Sequence, residues 1–295
     1  MTKGYRAGSD DESGLRRLLA PNPSPMTGPG TNTFILGDRD LAVIDPGPAL
    51  PAHLDAIQNV IAGRQVRGIF VTHAHLDHSA GARPLAEITG APVLAFGPAV
   101  AGRSEIMARL APQVKGGEGI DAEFAPDQML SHGDQVQGDG WCLRAVHTPG
   151  HMSNHLSFQW PDARLVFTGD TVMGWASTLI SPPDGDLGQF LTSLDRLADL
   201  GAERFWPGHG DMITDPSGRC AELRAHRLMR EADILGALRH PRRVSDLVHE
   251  IYTDTPRALH AAAGRNVLAH LIHLWETGRV AAAPEVSPGA LWHLI

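Results

Sequence analysis

Short apolar runs and amphipathic stretches alternate through the first two thirds of the chain. Residues 34–37 and 41–45 are apolar runs on either side of a polar turn, which predicts a β-hairpin. Residues 51–63 space their apolar side chains for an amphipathic helix, and residues 68–72 predict a buried strand that ends in polar residues at Thr72. A helix over 81–89 leads to a strand over 92–96. Residues 141–150, 155–160 and 164–170 are each β-rich with a turn behind them. A helix over 193–201, closed by Gly201, precedes a strand over 203–210. Strands alternating with helices, with hairpins mixed in, indicate a layered α/β protein.

Near Asp215 the pattern changes. Residues 219–240 predict a long amphipathic helix, 244–252 and 265–278 are helical, and 279–295 predict a small terminal hairpin. The expected division is therefore 1–215 and 216–295, with a helical, winged-helix-like tail. The tail holds ten Arg and eight acidic residues, a net of +2, against about −10 before it. The remaining composition is that of an ordinary globular chain: 295 residues, 42% hydrophobic, 20% charged and 5% aromatic, so the core rests on aliphatic side chains. A net charge of −8 argues against a protein that coats nucleic acid by charge alone. Two cysteines, Cys142 and Cys220, make no disulfide framework. With no signal-peptide pattern and no apolar run of bilayer length, the expectation is a cytoplasmic protein with no membrane partner.

The chemistry concentrates where the strand over 68–72 ends. His73, His75, Asp77 and His78 fall within six residues, and imidazole with carboxylate is a zinc-type donor set. So many polar groups at the end of an apolar strand are costly unless something binds them. Three later Gly-containing turns offer further donors: His147 and His151, then Asp170, then His209.

These segments resemble the metallo-β-lactamase superfamily over essentially the whole chain. Its H-x-H-x-D-H motif stands as His73 to His78, its T-P-G-H turn as Thr148-Pro149-Gly150-His151, its T-G-D turn ends in Asp170, and its last histidine is His209. The resemblance implies a four-layer αββα sandwich with a binuclear site. One metal would take His73, His75 and His151, the other Asp77, His78 and His209, with Asp170 bridging. Two Zn²⁺ are the expected cofactors, with Fe or Mn left open. An Asp at 170 rather than Cys points away from antibiotic hydrolysis, and His rather than Glu at 75 points away from a redox di-iron site. A tail without lysine points away from glutathione thioesters. Residues 22–36, 148–155 and 207–216 look most like the subgroup of the mitochondrial β-lactamase-like endoribonuclease and its bacterial relatives.

The expected reaction is hydrolysis of an ester, thioester or lactone by a hydroxide held between two ions roughly 3.5–4 Å apart. Asp77 and Asp170 are the catalytic candidates, each with a second oxygen to orient that hydroxide or carry its proton. Single-stranded RNA cleavage is the alternative, and a non-catalytic nucleic-acid-binding protein with a structural metal site is the second. His155, Trp175 and Ser177 are candidate pocket residues. Thr72 is expected to support the ligand loop and His147 to be structural. His270, His273 and Trp275 are expected to form a core stripe. Oligomeric state is left open.

Overall fold

The computed structural model describes residues 14–114, 119–253, 256–257 and 260–295. Two sheets face each other. The first runs, in spatial order, β1 (Leu15–Leu19), β2 (Asn32–Leu36), β3 (Asp40–Ile44), β4 (Gln65–Phe70), β5 (Val93–Ala95) and β6 (Gln128–Met129). The hairpin and its β1 partner are antiparallel, and from β3 onward the strands are parallel. The second contains β7 (Gln135–Gly138), β8 (Trp141–His147), β9 (Leu156–Trp160), β10 (Leu165–Gly169) and β11 (Arg204–Pro207), ordered from β11 back to β7. Only β10 and β11 pair in parallel there.

Alternation along each strand decides what lies between the sheets. Phe34, Leu36, Phe70 and Leu94 of the first sheet share a core with Leu143, Phe158, Phe167 and Trp206 of the second. The rings of Phe34 and Phe167 lie 4.8 Å apart, and those of Phe70 and Phe158 5.4 Å. Full burial of each such phenylalanine stabilises the sandwich by roughly 1.5–3 kcal/mol. The intervening residues point outward. Ile35, Val43 and Ile69 pack on α1 (Pro51–Ile61) and on α3 (Ala82–Thr89), which follows the single-turn α2 (Leu76–Ser79). The next helix is α4 (Glu105–Leu110), and on the far side Val166 and Phe205 pack beneath α5 (Leu187–Ala198) and α6 (Pro216–Ala237). The layers are thus helix, sheet, sheet, helix.

The tail continues through α6 into α7 (Val244–Ile251), α8 (His260–Glu276) and an antiparallel hairpin of β12 (Val280–Ala283) and β13 (Leu291–Leu294). Asp215 caps α6 by accepting from Gly218 N, with Pro216 in the first turn. The tail's core, built on Ile234, Leu247, Leu271 and fully buried Trp292, also takes in Ile106, Met107 and Leu110 of α4.

Some expectations shift. β4 ends at Phe70, not Thr72, because Thr72 N bonds a carboxylate, Asp45 Oδ1, instead of a strand. Helix α5 starts at Leu187, where Asp186 accepts from Gln189 N. The expected stripe on α8 is core only at His270, since His273 is partly exposed against Gly188 and Trp275 is 36% exposed on the outer face. Both cysteines are free. Among the described residues no helix is long and apolar enough to cross a membrane.

Candidate metal centre

Strands β3 and β4 are parallel, so both deliver their C-terminal ends to one edge of the sheet. At the end of β3 stands Asp45, buried, at a φ of 48°. Its carboxylate accepts from Thr72 N (2.7 Å), Thr72 Oγ1 (2.8 Å) and His78 Nδ1 (2.9 Å). This residue was missed in the sequence, although an acid closing an apolar strand before Pro46-Gly47 is itself a signal. Beyond Thr72 the ligand loop is pinned by Leu76 N to Gly119 O and by Asp121 N to Ala74 O. Helix α2 then carries Asp77 and His78.

The later donors arrive on turns that only glycine permits. Gly150, at a φ of 140°, runs so close to α5 that a Cβ there would meet Phe190 Cα at 2.4 Å. This close approach seats His151. Gly208 is pressed against the centre itself: a Cβ would lie 2.5 Å from His78 Cε1 and 2.6 Å from Asp170 Oδ1. Asn32 of β2 holds the turn around His209 by donating to Pro207 O (3.0 Å) and Gly210 O (2.8 Å).

Seven side chains converge. One set is His73, His75, His151 and Asp170, the other Asp77, His78 and His209, with donor atoms within 4.8 Å of one another in each. Asp170 reaches both: its Oδ2 is 3.7 Å from His151 Nε2 and 3.4 Å from His209 Nε2, and its Oδ1 is 3.5 Å from His78 Nε2. The outer nitrogens are what fit this centre to a metal. Thr72 Oγ1 gives its one proton to Asp45, so it must accept from His73 Nδ1. His78 Nδ1 donates to Asp45, His151 Nδ1 to Leu179 O and His209 Nδ1 to Gly30 O. Each neutral ring therefore aims the lone pair of its Nε2 inward, the tautomer that a metal ligand needs. Inward nitrogens then meet at 2.9 Å (His73 to His75), 3.1 Å (His75 to His151) and 3.3 Å (His78 to His209). Lone pairs at that spacing call for a cation between them, whether proton or metal ion.

Electrostatics agree. Burial opposes a charge on His209, yet Asp170 and Asp77 raise its pKa to about 9. His78 is likewise held well above the usual histidine range, against burial, by Asp77, Asp170 and Asp45. Burial would raise the carboxyl pKa values, but His78 and His209 hold Asp77 and Asp170 well below the usual range. In the other set, burial lowers His151, lowers His73 well below the usual histidine range, and lowers His75 to about 3. The carboxylates thus create a field that retains positive charge.

A cavity of about 560 Å³ opens above the centre, with His75, Asp77, His151, Asp170 and His209 in its lining. Trp175 and Ser177, from the loop after Asp170, line it as well. His155 does not. It is fully buried behind the centre, stacked on His73 at 5.0 Å, and its Nε2 accepts from Asp170 N at 3.2 Å. The pocket expectation for His155 is corrected accordingly: it stands in the turn just before β9, directed inward, where it holds the ligand-bearing backbone. His147 stacks on Phe96 at 3.9 Å and bonds Ser153 O, outside the centre.

Comparison with known proteins follows the same two parts of the chain. A family model described as the metallo-beta-lactamase superfamily matches residues 26–209, and one described as the beta-lactamase associated winged helix domain matches residues 244–292. The chain is 30% identical over 273 residues to a beta-lactamase-like protein 2 homolog of Caenorhabditis elegans, covering 90% of this chain and 85% of that one. It is 32% identical over 252 residues to an atrochrysone carboxyl ACP thioesterase of Aspergillus chevalieri, covering 81% and 73%. A crystal structure of a metallo-beta-lactamase family protein from Thermus thermophilus superposes with a TM-score of 0.75 at 28% identity, covering 96% and 99%.

Proposed function

The chain belongs to the metallo-beta-lactamase superfamily, and on that premise we propose that it is a binuclear metal hydrolase acting on a small ester, thioester or lactone, with zinc as the working metal. The observation that supports this reading is two donor sets, with Asp170 of the first also within 3.5 Å of His78 and His209 of the second, at the floor of a pocket whose walls are mainly apolar. Met26, Ile120, Met173, Trp175 and Leu179 supply those walls. Such a surface desolvates an acyl chain, while a few polar groups fix its orientation. The similarity to a thioesterase supports the same class.

Two divalent ions bound there would supply an activated water near neutral pH and polarise the oxygen under attack. His73, His75 and His151 are assigned to one ion, Asp77, His78 and His209 to the other, and Asp170 to both. The remaining roles fall to the chain. Asp77 and Asp170 hold or move a proton at their carboxylate oxygens. Asp45 and His155 keep the ligand loop and the Asp170 backbone in place. Trp175, set between Gly28 and Gly210, covers the reacting group from bulk water. Single-stranded RNA suits this pocket less well, because its described lining has one arginine and no lysine, whereas a nucleic-acid strand calls for a basic groove with stacking platforms.

Metal analysis of the purified chain, with turnover of thioesters, esters, lactones and single-stranded RNA, tests the proposal. The expected result is two ions per chain, thioester or ester turnover, and a loss of about 100-fold or more in Asp170→Ala. A metal-replete chain that cleaves RNA alone, or nothing at all, overturns it.

A further inference from the structure

The pocket is not walled by the sandwich alone. Ala261, Ala262 and Arg265 of α8 line it together with the metal ligands, so the winged-helix tail contributes a side of the cavity. Arg265 is the one arginine among the described lining residues, and no lysine joins it. The acidic groups around it are otherwise engaged. Asp77 and Asp170 belong to the metal centre, and buried Asp184 is paired with Arg103. Arg265 itself makes no hydrogen bond or ion pair among the described residues, while its neighbour on the helix, Asn266, accepts from Arg227 NH1 at 3.4 Å. The residue as a whole is half-buried. An arginine at a mainly apolar cavity wall, with no partner among the described residues, can offer its planar fork of donors to an incoming acceptor.

We propose that Arg265 is a specificity-determining residue that recognises an anionic group on the substrate, a carboxylate or a phosphate, at a distance from the bond cleaved. The inference rests on the hydrolase reading and narrows it to acyl substrates with a negatively charged end. The apolar walls between centre and arginine take the intervening chain. The charge sits either on the acyl part or on the alcohol or thiol that leaves. A fork-shaped cation pairs with either anion by charge-assisted hydrogen bonds, and removing it costs about 10- to 100-fold in affinity for the charged ligand.

The test uses the metal-loaded wild-type chain, Arg265→Gln and Arg265→Lys. One pair of substrates is the mono-S-ethyl thioester of adipic acid and neutral S-ethyl hexanethioate. The other is S-hexanoyl-4′-phosphopantetheine and S-hexanoyl-pantetheine. The expected result is a kcat/KM preference for the charged member of one pair, collapsing about 10- to 100-fold in Arg265→Gln and partly restored in Arg265→Lys. Preference in the first pair places the anion on the acyl group, and in the second on the leaving group. Calorimetry with the ketone analogues, in which a methylene replaces the sulfur, reads the same preference without turnover. If the analogues keep it and no thioester, ester or lactone is cleaved, the hydrolase reading fails while the assignment of Arg265 stands. If the wild-type chain favours neither charged probe, or the preference survives in Arg265→Gln, the assignment is wrong.

Discussion

At the scale of single residues, the centre is decided as much by what stands behind the donors as by the donors themselves. Asp45 takes three hydrogen bonds at once and thereby fixes both the loop backbone at Thr72 and the tautomer of His78. Asparagine tolerates the positive φ of this position but has one oxygen instead of two. Asp45→Asn is accordingly expected to fold and to bind metal about 10- to 100-fold more weakly, measured by competition with a chromogenic chelator. Wild-type affinity in the variant would show that His78 is oriented without it. His73, His75, Asp77 and His78 were legible from their short spacing and residue types, whereas His151, Asp170 and His209 stood out only through the resemblance of their turns to the superfamily's motifs. Asp45 and His155 were not read correctly, because their work is done by contacts across 27 and 15 residues that no local pattern encodes.

At the scale of elements, helix α6 joins the two parts of the molecule. Arg219 and Arg227 are eight positions apart and so share a face of the helix. Arg219 donates to Met173 O (2.8 Å) and Ala176 O (2.9 Å), and Arg227 to Thr178 O, all in the loop that follows Asp170. Burial lowers the Arg227 guanidinium to about 10, and the Phe190 ring lies 5.4 Å from it. Arg227→Met keeps the bulk and removes the donors. It is expected to cost about 1.5–3 kcal/mol in a denaturant melt and to speed amide exchange over residues 171–180. Unchanged exchange there would separate the helix from the loop. The periodicity of α6 gave away the helix but not this bracing, since arginine on an amphipathic helix reads first as a solvated charge. Strand β1 was passed over for a related reason: Leu15, Arg16, Arg17, Leu18 and Leu19 do not alternate, and only pairing with β2 makes them a strand.

At the scale of the whole molecule, the tail is built into the rest of the structure. Ala269 of α8 packs into the layer under α5, and Ile106, Met107 and Leu110 of α4 pack into the tail's own core. A chain cut after residue 215 keeps every proposed ligand and leaves both faces bare. It is expected to bind a hydrophobic dye and to lose its cooperative thermal transition. A sharp transition within a few degrees of the full chain would mark the sandwich as self-sufficient. The layered α/β architecture and the terminal hairpin were readable from periodicity. The shared core was not, because packing partners so distant in the chain leave no periodic trace. The shared cavity has a further consequence for the order in which the molecule is made. During synthesis the last donor, His209, leaves the ribosome before α8 exists, so the nascent chain holds a full set of ligands while one side of its pocket is still missing. An ion taken up at that stage would enter through the open side, and on the proposed role of Arg265 the cavity begins to select what enters only once α8 has docked.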